Sequence, residues 1–240
     1  MKILAIDTTA KTATAALTEN EKLLALTVLN TPNTHSVTLL PMIDGLLRGA
    51  GLTLSDVDLL VCSAGPGSFT GVRIGAAAIK GLAFADGKTC IGVSALEALA
   101  LNVTETDGII CPVMDARRNQ LYNALFKYEN GSLKRLTPDR VLTAAELASE
   151  LSGAPETVHL TGDGAEIAKR ALSEMKLSEP HEALRYHNAY NVALLGFRTY
   201  LAASEDEKKN FTAEKLSPVY LRASQAERER LERLEKENKS

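Results

Sequence analysis

Lys2-Ile3-Leu4-Ala5-Ile6-Asp7, running into the turn Thr8-Thr9-Ala10-Lys11, decides the fold when it is set beside Ile109-Ile110-Cys111-Pro112-Val113-Met114-Asp115 and the turn Ala116-Arg117-Arg118-Asn119. Each is a short apolar run that reads as a buried strand, closed by an aspartate and a polar turn. The sequel repeats too. Residues 12–17 alternate as a second strand and 22–29 make a third. In the second half 120–128 reads as one strand, and Asn130-Gly131 turns the chain into another. Strand, terminal Asp, turn and strand occur twice, which is an internal duplication weak in identity but consistent in order. Asp at a strand end is also an ordinary turn former. Asp7 and Asp115 therefore keep two readings: groups facing a nucleotide across a cleft, or relics that shape turns.

Outward from these strands the pattern alternates. A helix over 34–48 is capped by Thr34 or Ser36 and stopped by Gly49 and Gly51, with Leu39, Leu40, Met42, Ile43, Leu46 and Leu47 on one apolar arc. Pro41 is expected to kink it or to mark a late start. A strand over 57–62, a helix over 71–85, a strand over 89–92 and a helix opened by Ser94 and Glu97 as a capping box follow. After the polar stretch 102–108 and the second set of strands come a helix with Thr143 and Glu146 as its box, a strand over 157–161, the loop Gly162-Asp163-Gly164, a helix over 165–175 and an apolar helix over 189–203. The reading is α/β with two lobes, 1–104 and a reduced 105–223, and a charged helix or tail over 224–240 in which only Leu231 and Leu234 are apolar.

Composition narrows the function. The 240 residues carry a net charge of −3, no Trp and 5% aromatics, which speaks against a nucleic-acid surface built on charge or base stacking. Cys62, Cys90 and Cys111 lack CxxC spacing and sit in apolar runs, so they read as reduced core residues. No apolar run approaches membrane-spanning length, and a cytoplasmic, soluble protein is expected. His35, His159, His181 and His187 show no i,i+4 spacing, so no metal site is expected. Ser68 is not in a GxSxG elbow and reads as a helix cap, not a nucleophile.

The stretch Ser63-Ala64-Gly65-Pro66-Gly67-Ser68-Phe69-Thr70-Gly71-Val72-Arg73-Ile74-Gly75 joins a strand to a helix through glycines. That geometry suits an anion at a helix N-terminus, yet it matches neither GxxxxGK[ST] nor GxGxxG, and close strand-to-helix packing is the alternative. Beyond it only Arg73 and Lys80 are polar up to Ala85. A helix apolar nearly all round needs its outer face covered, by another element of the chain or by a second protein.

Ile3-Leu4-Ala5-Ile6-Asp7-Thr8-Thr9, His35-Ser36, the Gly65 to Gly75 segment, Asp115-Ala116-Arg117-Arg118 and Ser217-Pro218-Val219-Tyr220-Leu221-Arg222 together resemble the bacterial TsaB family of threonylcarbamoyladenosine biosynthesis proteins, over essentially the whole chain. The resemblance implies a duplicated actin-like (ASKHA) fold, each lobe a mixed sheet flanked by helices, in which superfamily members hold ATP between the lobes. It implies a non-catalytic subunit that pairs with a TsaD-like paralogue and a TsaE-like ATPase. Together these modify the adenosine 3′ of the anticodon in tRNAs reading codons that begin with A. The paralogue's His-x-x-x-His metal site corresponds here to Ala95 and Leu99, which donate nothing to a metal.

No catalytic residue, metal or cofactor is thus expected, and tRNA contact is at most indirect. The expected partner interface is Leu39, Ile43 and Leu46 on the first helix with Gly71, Ile74, Gly75, Ala78 and Leu82 on the second. Without the paralogue the same surface is expected to form a homodimer. Asp7, Thr8 and Asp115 mark a vestigial nucleotide site. The alternatives are a stand-alone ATP-dependent enzyme of the actin-like fold and a metallopeptidase, the latter disfavoured by the missing histidines.

Overall fold

A computed structural model describes residues 1–104 and 106–222; the expected charged segment 224–240 lies outside them. The first half runs β1 (Lys2–Asp7), β2 (Ala13–Glu19), β3 (Lys22–Leu29), α1 (His35–Gly49), β4 (Leu59–Gly65), α2 (Phe69–Phe84), β5 (Thr89–Ser94) and α3 (Ala95–Ala100). Its sheet has the order β3-β2-β1-β4-β5. The first three strands form an antiparallel meander, with Lys2 opposite Glu19 and Asp7 opposite Thr14; β4 and β5 add in parallel. Strands β1 and β4 are apolar at almost every position because both sheet faces are covered. On one face α1 and α2 pack against Leu4, Ile6, Leu17 and Leu60.

Chain order continues with β6 (Ile109–Asp115), β7 (Gln120–Asn123), β8 (Phe126–Glu129), β9 (Ser132–Arg135), β10 (Arg140–Thr143), α4 (Ala144–Leu151), β11 (Val158–Thr161), α5 (Ala165–Ala171), β12 (Leu177–Ser178), α6 (Ala189–Ala202) and α7 (Glu205–Lys208). The second sheet has the order β10-β7-β6-β11-β12, with β8 on β6 and β9 on β8. Its opening strands repeat the first: β6 ends in an aspartate, turns, and pairs antiparallel with β7.

Four expectations are corrected. The single strand over 120–128 is two. β7 pairs with Val113 to Asp115 and stops at Asn123, whose buried amide donates to the carbonyls of Pro112 and Ala124; Phe126 then rejoins β6 opposite Ile110. Strand β10, paired with β7, lay in the stretch before the Thr143 cap and carries no alternation of its own over four residues. Of the two readings of Pro41 the late start is corrected: helix α1 begins at His35, as the Thr34 cap implied, and Pro41 lies inside it, forfeiting the one intrahelical bond to the Val37 carbonyl.

The fourth correction concerns the lobes. Helix α6 does not stay with 105–223; it covers the outer face of the first sheet, packing Ala189, Val192 and Ala193 on Ile3, Ala5, Val61 and Ile91. The chain after it remains there, since the Cys90 amide donates to the Phe211 carbonyl, the Val219 amide to that of Ala64, and Leu216 enters the first core. The physical reason is exposure: α1 and α2 leave the other face of an apolar sheet bare, and α6 closes it.

Candidate functional site

The cleft between the two sheets holds a cavity of about 470 Å³ on which the residues of both duplicated turns converge. Thr9 to Lys11 come from the first turn, Asp115 to Arg118 from the second, Ser68 and Phe69 from the start of α2, Asp163 from the loop after β11, and Val219 to Arg222 from the C-terminal strap. Sequence reasoning brought Asp7, Thr8 and Asp115 to this cleft; the structure separates them.

Asp7 does not face the cavity. Its carboxylate is buried, and both oxygens are in use. Oδ1 accepts from the Thr9 amide at 2.8 Å and the Thr9 hydroxyl at 2.7 Å. Oδ2 accepts from the Ser63 hydroxyl at 2.5 Å and from His187 Nδ1 at 2.9 Å. Burial alone would push the Asp7 pKa up, but the His187 charge and these hydrogen bonds overturn it, leaving the carboxyl below its ordinary value. His187 answers in kind. Burial pushes it down, yet the Asp7 charge and hydrogen bond, with Asp163 behind, hold it above the ordinary imidazole value. Both directions favour the charged form of each partner, and among the described residues His187 Nε2 has no hydrogen-bond partner.

A carboxylate so enclosed has no lone pair left to offer a nucleotide's magnesium ion. The residues at the first turn therefore do not fit a metal–nucleotide held through Asp7. His187 escaped the sequence reading because 180 residues separate it from Asp7. The usable signals were that it directly precedes Asn188, the N-cap of α6, and that α6 is apolar enough to be buried.

Thr8 is a packing residue. Its hydroxyl donates to the Gly71 carbonyl at 2.7 Å, and a Cβ on Gly75 would stand 2.7 Å from that hydroxyl oxygen. A Cβ on Gly71 would collide with the Thr8 carbonyl. The glycines of α2 thus let a helix lie directly on a turn. Of the two readings of this segment, the geometry supports close packing. Ser68 caps α2, accepting from the Gly71 amide at 3.3 Å.

Asp115, by contrast, lines the cavity, accepting from the Arg117 amide at 2.7 Å while its own amide donates to Asp163. Arg117, Arg118 and Asn119 all have positive φ, 66°, 55° and 57°, three successive left-handed residues without a glycine. Arg222 donates from the strap to the carbonyls of Ala116 and Arg117. Beside it Arg73 donates to the Tyr220 hydroxyl at 2.8 Å and lies over Phe69 at 3.8 Å.

Ala95 and Leu99 are fully buried in α3 against Ile110, Met114 and Phe126, so that helix presents apolar packing. Among the described residues no group of three or more His, Cys, Asp or Glu is placed to hold a metal ion. Burial pushes the thiols of Cys62 and Cys111 up to about 12 and that of Cys90 to about 11, which makes them poor nucleophiles. No helix among the described residues is long and apolar enough to cross a membrane.

The expected interface needs correction. Leu39, Ile43 and Leu46 are buried in the chain's own core, and Gly71 and Gly75 face Thr8. Ile74, Ala78 and Leu82 are half-buried against that same core. The apolar arc of α1 was a core face because the sheet lies under it. What the two helices leave in water is Val37 (68% exposed), Leu40 (55%) and Phe84 (86%), with Pro41, Ala77 and Gly81 also exposed.

Two lobes built on a repeated strand–turn–strand with a helical cover define an actin-like α/β protein. The ethanolamine utilization protein EutJ from Carboxydothermus hydrogenoformans shares that fold at 12% identity and a TM-score of 0.51, covering 82% of this chain and 90% of its own. The family model TsaD, tRNA N6-adenosine threonylcarbamoyltransferase, matches residues 30–230. The tRNA threonylcarbamoyladenosine biosynthesis protein TsaB of Bacillus subtilis is 33% identical over 230 residues, 95% of this chain and 96% of that one. YeaZ from Pseudomonas aeruginosa superposes with a TM-score of 0.76 at 27% identity over 92% of this chain and 99% of its own. The chain belongs to the TsaB family.

Proposed function

We propose that the chain is a non-catalytic subunit of the tRNA threonylcarbamoylation machinery, acting by binding a TsaD-like catalytic paralogue through the outer faces of α1 and α2. It takes part in forming threonylcarbamoyladenosine 3′ of the anticodon, supports the active geometry of the paralogue and helps to recruit a TsaE-like ATPase. Without the paralogue it forms a homodimer through the same face, in the cytoplasm, and contacts tRNA at most indirectly. The observation that carries the reading is the trio Val37, Leu40 and Phe84, large apolar side chains left in water on two neighbouring helices. The name of the B. subtilis relative and the TsaD family model support the pathway. Neither Asp7, with its acceptors taken, nor the apolar α3 supports an ATP-dependent enzyme or a metallopeptidase.

The test is light scattering after size exclusion on this chain mixed with its TsaD-like paralogue. A one-to-one complex is expected for the wild type and none for Leu40→Glu combined with Phe84→Glu, both exposed and so compatible with folding. Pairing by that variant as tight as the wild type's would exclude this face.

A further inference from the structure

Helix α3 belongs to two cores at once. It follows β5 of the first sheet directly, yet Ala95, Leu96, Leu99 and Ala100 pack with Ile110, Met114, Ala124 and Phe126 of the second. A polar cluster frames this apolar seam. Ser94, at the end of β5, donates to Asp139 at 2.6 Å. Arg135, at the end of β9, donates to Asp139 at 2.5 Å and to Glu97 of α3 at 2.6 Å, and its guanidinium lies over Phe126 at 4.6 Å. Arg135 is half-buried, and a planar fork gripping two carboxylates loses little entropy per bond. Elsewhere in the seam Asn102, just beyond α3, donates to the Tyr186 carbonyl and accepts from Asn191 of α6. At the cleft mouth Arg222 ties the strap, anchored on the first sheet, to the second turn.

We propose that this Ser94–Glu97–Arg135–Asp139 clamp, with α3 behind it, locks the two lobes at one separation, so that the cleft has a fixed width and does not close on a ligand. Hinge closure needs a few residues at element ends free to absorb φ/ψ change. Here the end of β5, where the chain leaves the first sheet, is tied through Asp139 to Arg135 at the end of β9 in the second lobe, and Arg135 also holds Glu97 of α3. The cleft is then a shaped surface and not a moving jaw, independently of which partner α1 and α2 take.

The test is a spin-label distance measurement across the lobes. Cys62, Cys90 and Cys111 are buried, so labels can be directed to Lys22→Cys on β3 and Ser149→Cys on α4, both exposed. Samples are diluted with unlabelled protein to suppress contacts between copies. One narrow distance is expected, unchanged by added ATP with magnesium. Arg135→Ala should add a second, displaced population. Asp139→Asn, which keeps the side chain's shape, guards against loss of fold and should do the same to a smaller extent. Two populations in the wild type, or a shift on adding nucleotide, would overturn the lock. A distance equally narrow in both variants would remove the clamp as its cause.

Discussion

Asp7 shows how one residue changes meaning with its neighbours. At the end of β1 it looks like a ligand, but it is the anionic half of a buried pair. Removing one partner leaves a charge in the interior, so His187→Gln should cost about 3–5 kcal/mol in denaturant unfolding. The pH dependence follows from the two directions. Asp7 titrates below its ordinary 3.8, so its contribution is present above that value and is lost as pH falls through the depressed pKa. His187 titrates above its ordinary 6.5, so its contribution is present below that value and is lost as pH rises through the elevated pKa. The stability gap between wild type and His187→Gln should therefore be widest between about pH 4 and 6.5 and should narrow on both sides. A gap that grows steadily toward alkaline pH would contradict the upward direction of the His187 pKa.

Among the elements, α1 and α2 carry the sharpest contrasts. Leu39 and Leu40 are adjacent in sequence, but one is core and the other faces water. Leu39→Ala should cost about 2–5 kcal/mol and leave a cavity, whereas Leu40→Ala in the monomer, at a dilution where no dimer forms, should stay within about 0.5 kcal/mol. The same logic divides the glycines of α2. Gly71→Ala drives a methyl into the Thr8 carbonyl and should destabilise by about 1–3 kcal/mol. Gly81 has open space where a Cβ would go, so Gly81→Ala should be neutral or stabilising by up to about 1 kcal/mol. Equal effects at the two positions, read by thermal unfolding, would mean that α2 does not lie on the Thr8 turn as described. A bulky residue at Gly75 would disturb this packing and so cannot serve as a clean probe of partner binding.

At the scale of the whole molecule, the lobes share structure instead of meeting at a boundary. Helix α3 is common to both cores, and α6 returns from the second half of the chain to cover the first sheet. The described lobes should therefore unfold in one transition, coincident by far-UV circular dichroism and by a fluorophore placed on the second lobe. Two separated transitions would mean that each half is stable alone, as the division near residue 104 suggests.

Much of this was legible along the chain. The duplicated strand–Asp–turn–strand, the caps at Ser68, Ser94 and Thr143, and the extents of α1, α2 and α6 follow from alternation, helical period and capping chemistry, which act over a few residues. Periodicity also says that a face is apolar, but not what covers it, which is why the arc of Leu39, Ile43 and Leu46 read as an interface and proved to be core. The break between β7 and β8 depends on which part of β6 each one reaches. The Asp7–His187 pair and the Arg135–Glu97 contact join residues far apart in the chain, and local signals that hint at burial, such as the place of His187 just before the cap of α6, do not say which residue is the partner. Charge pairing and burial depend on distance in space, and that distance exists only once the chain has closed on itself.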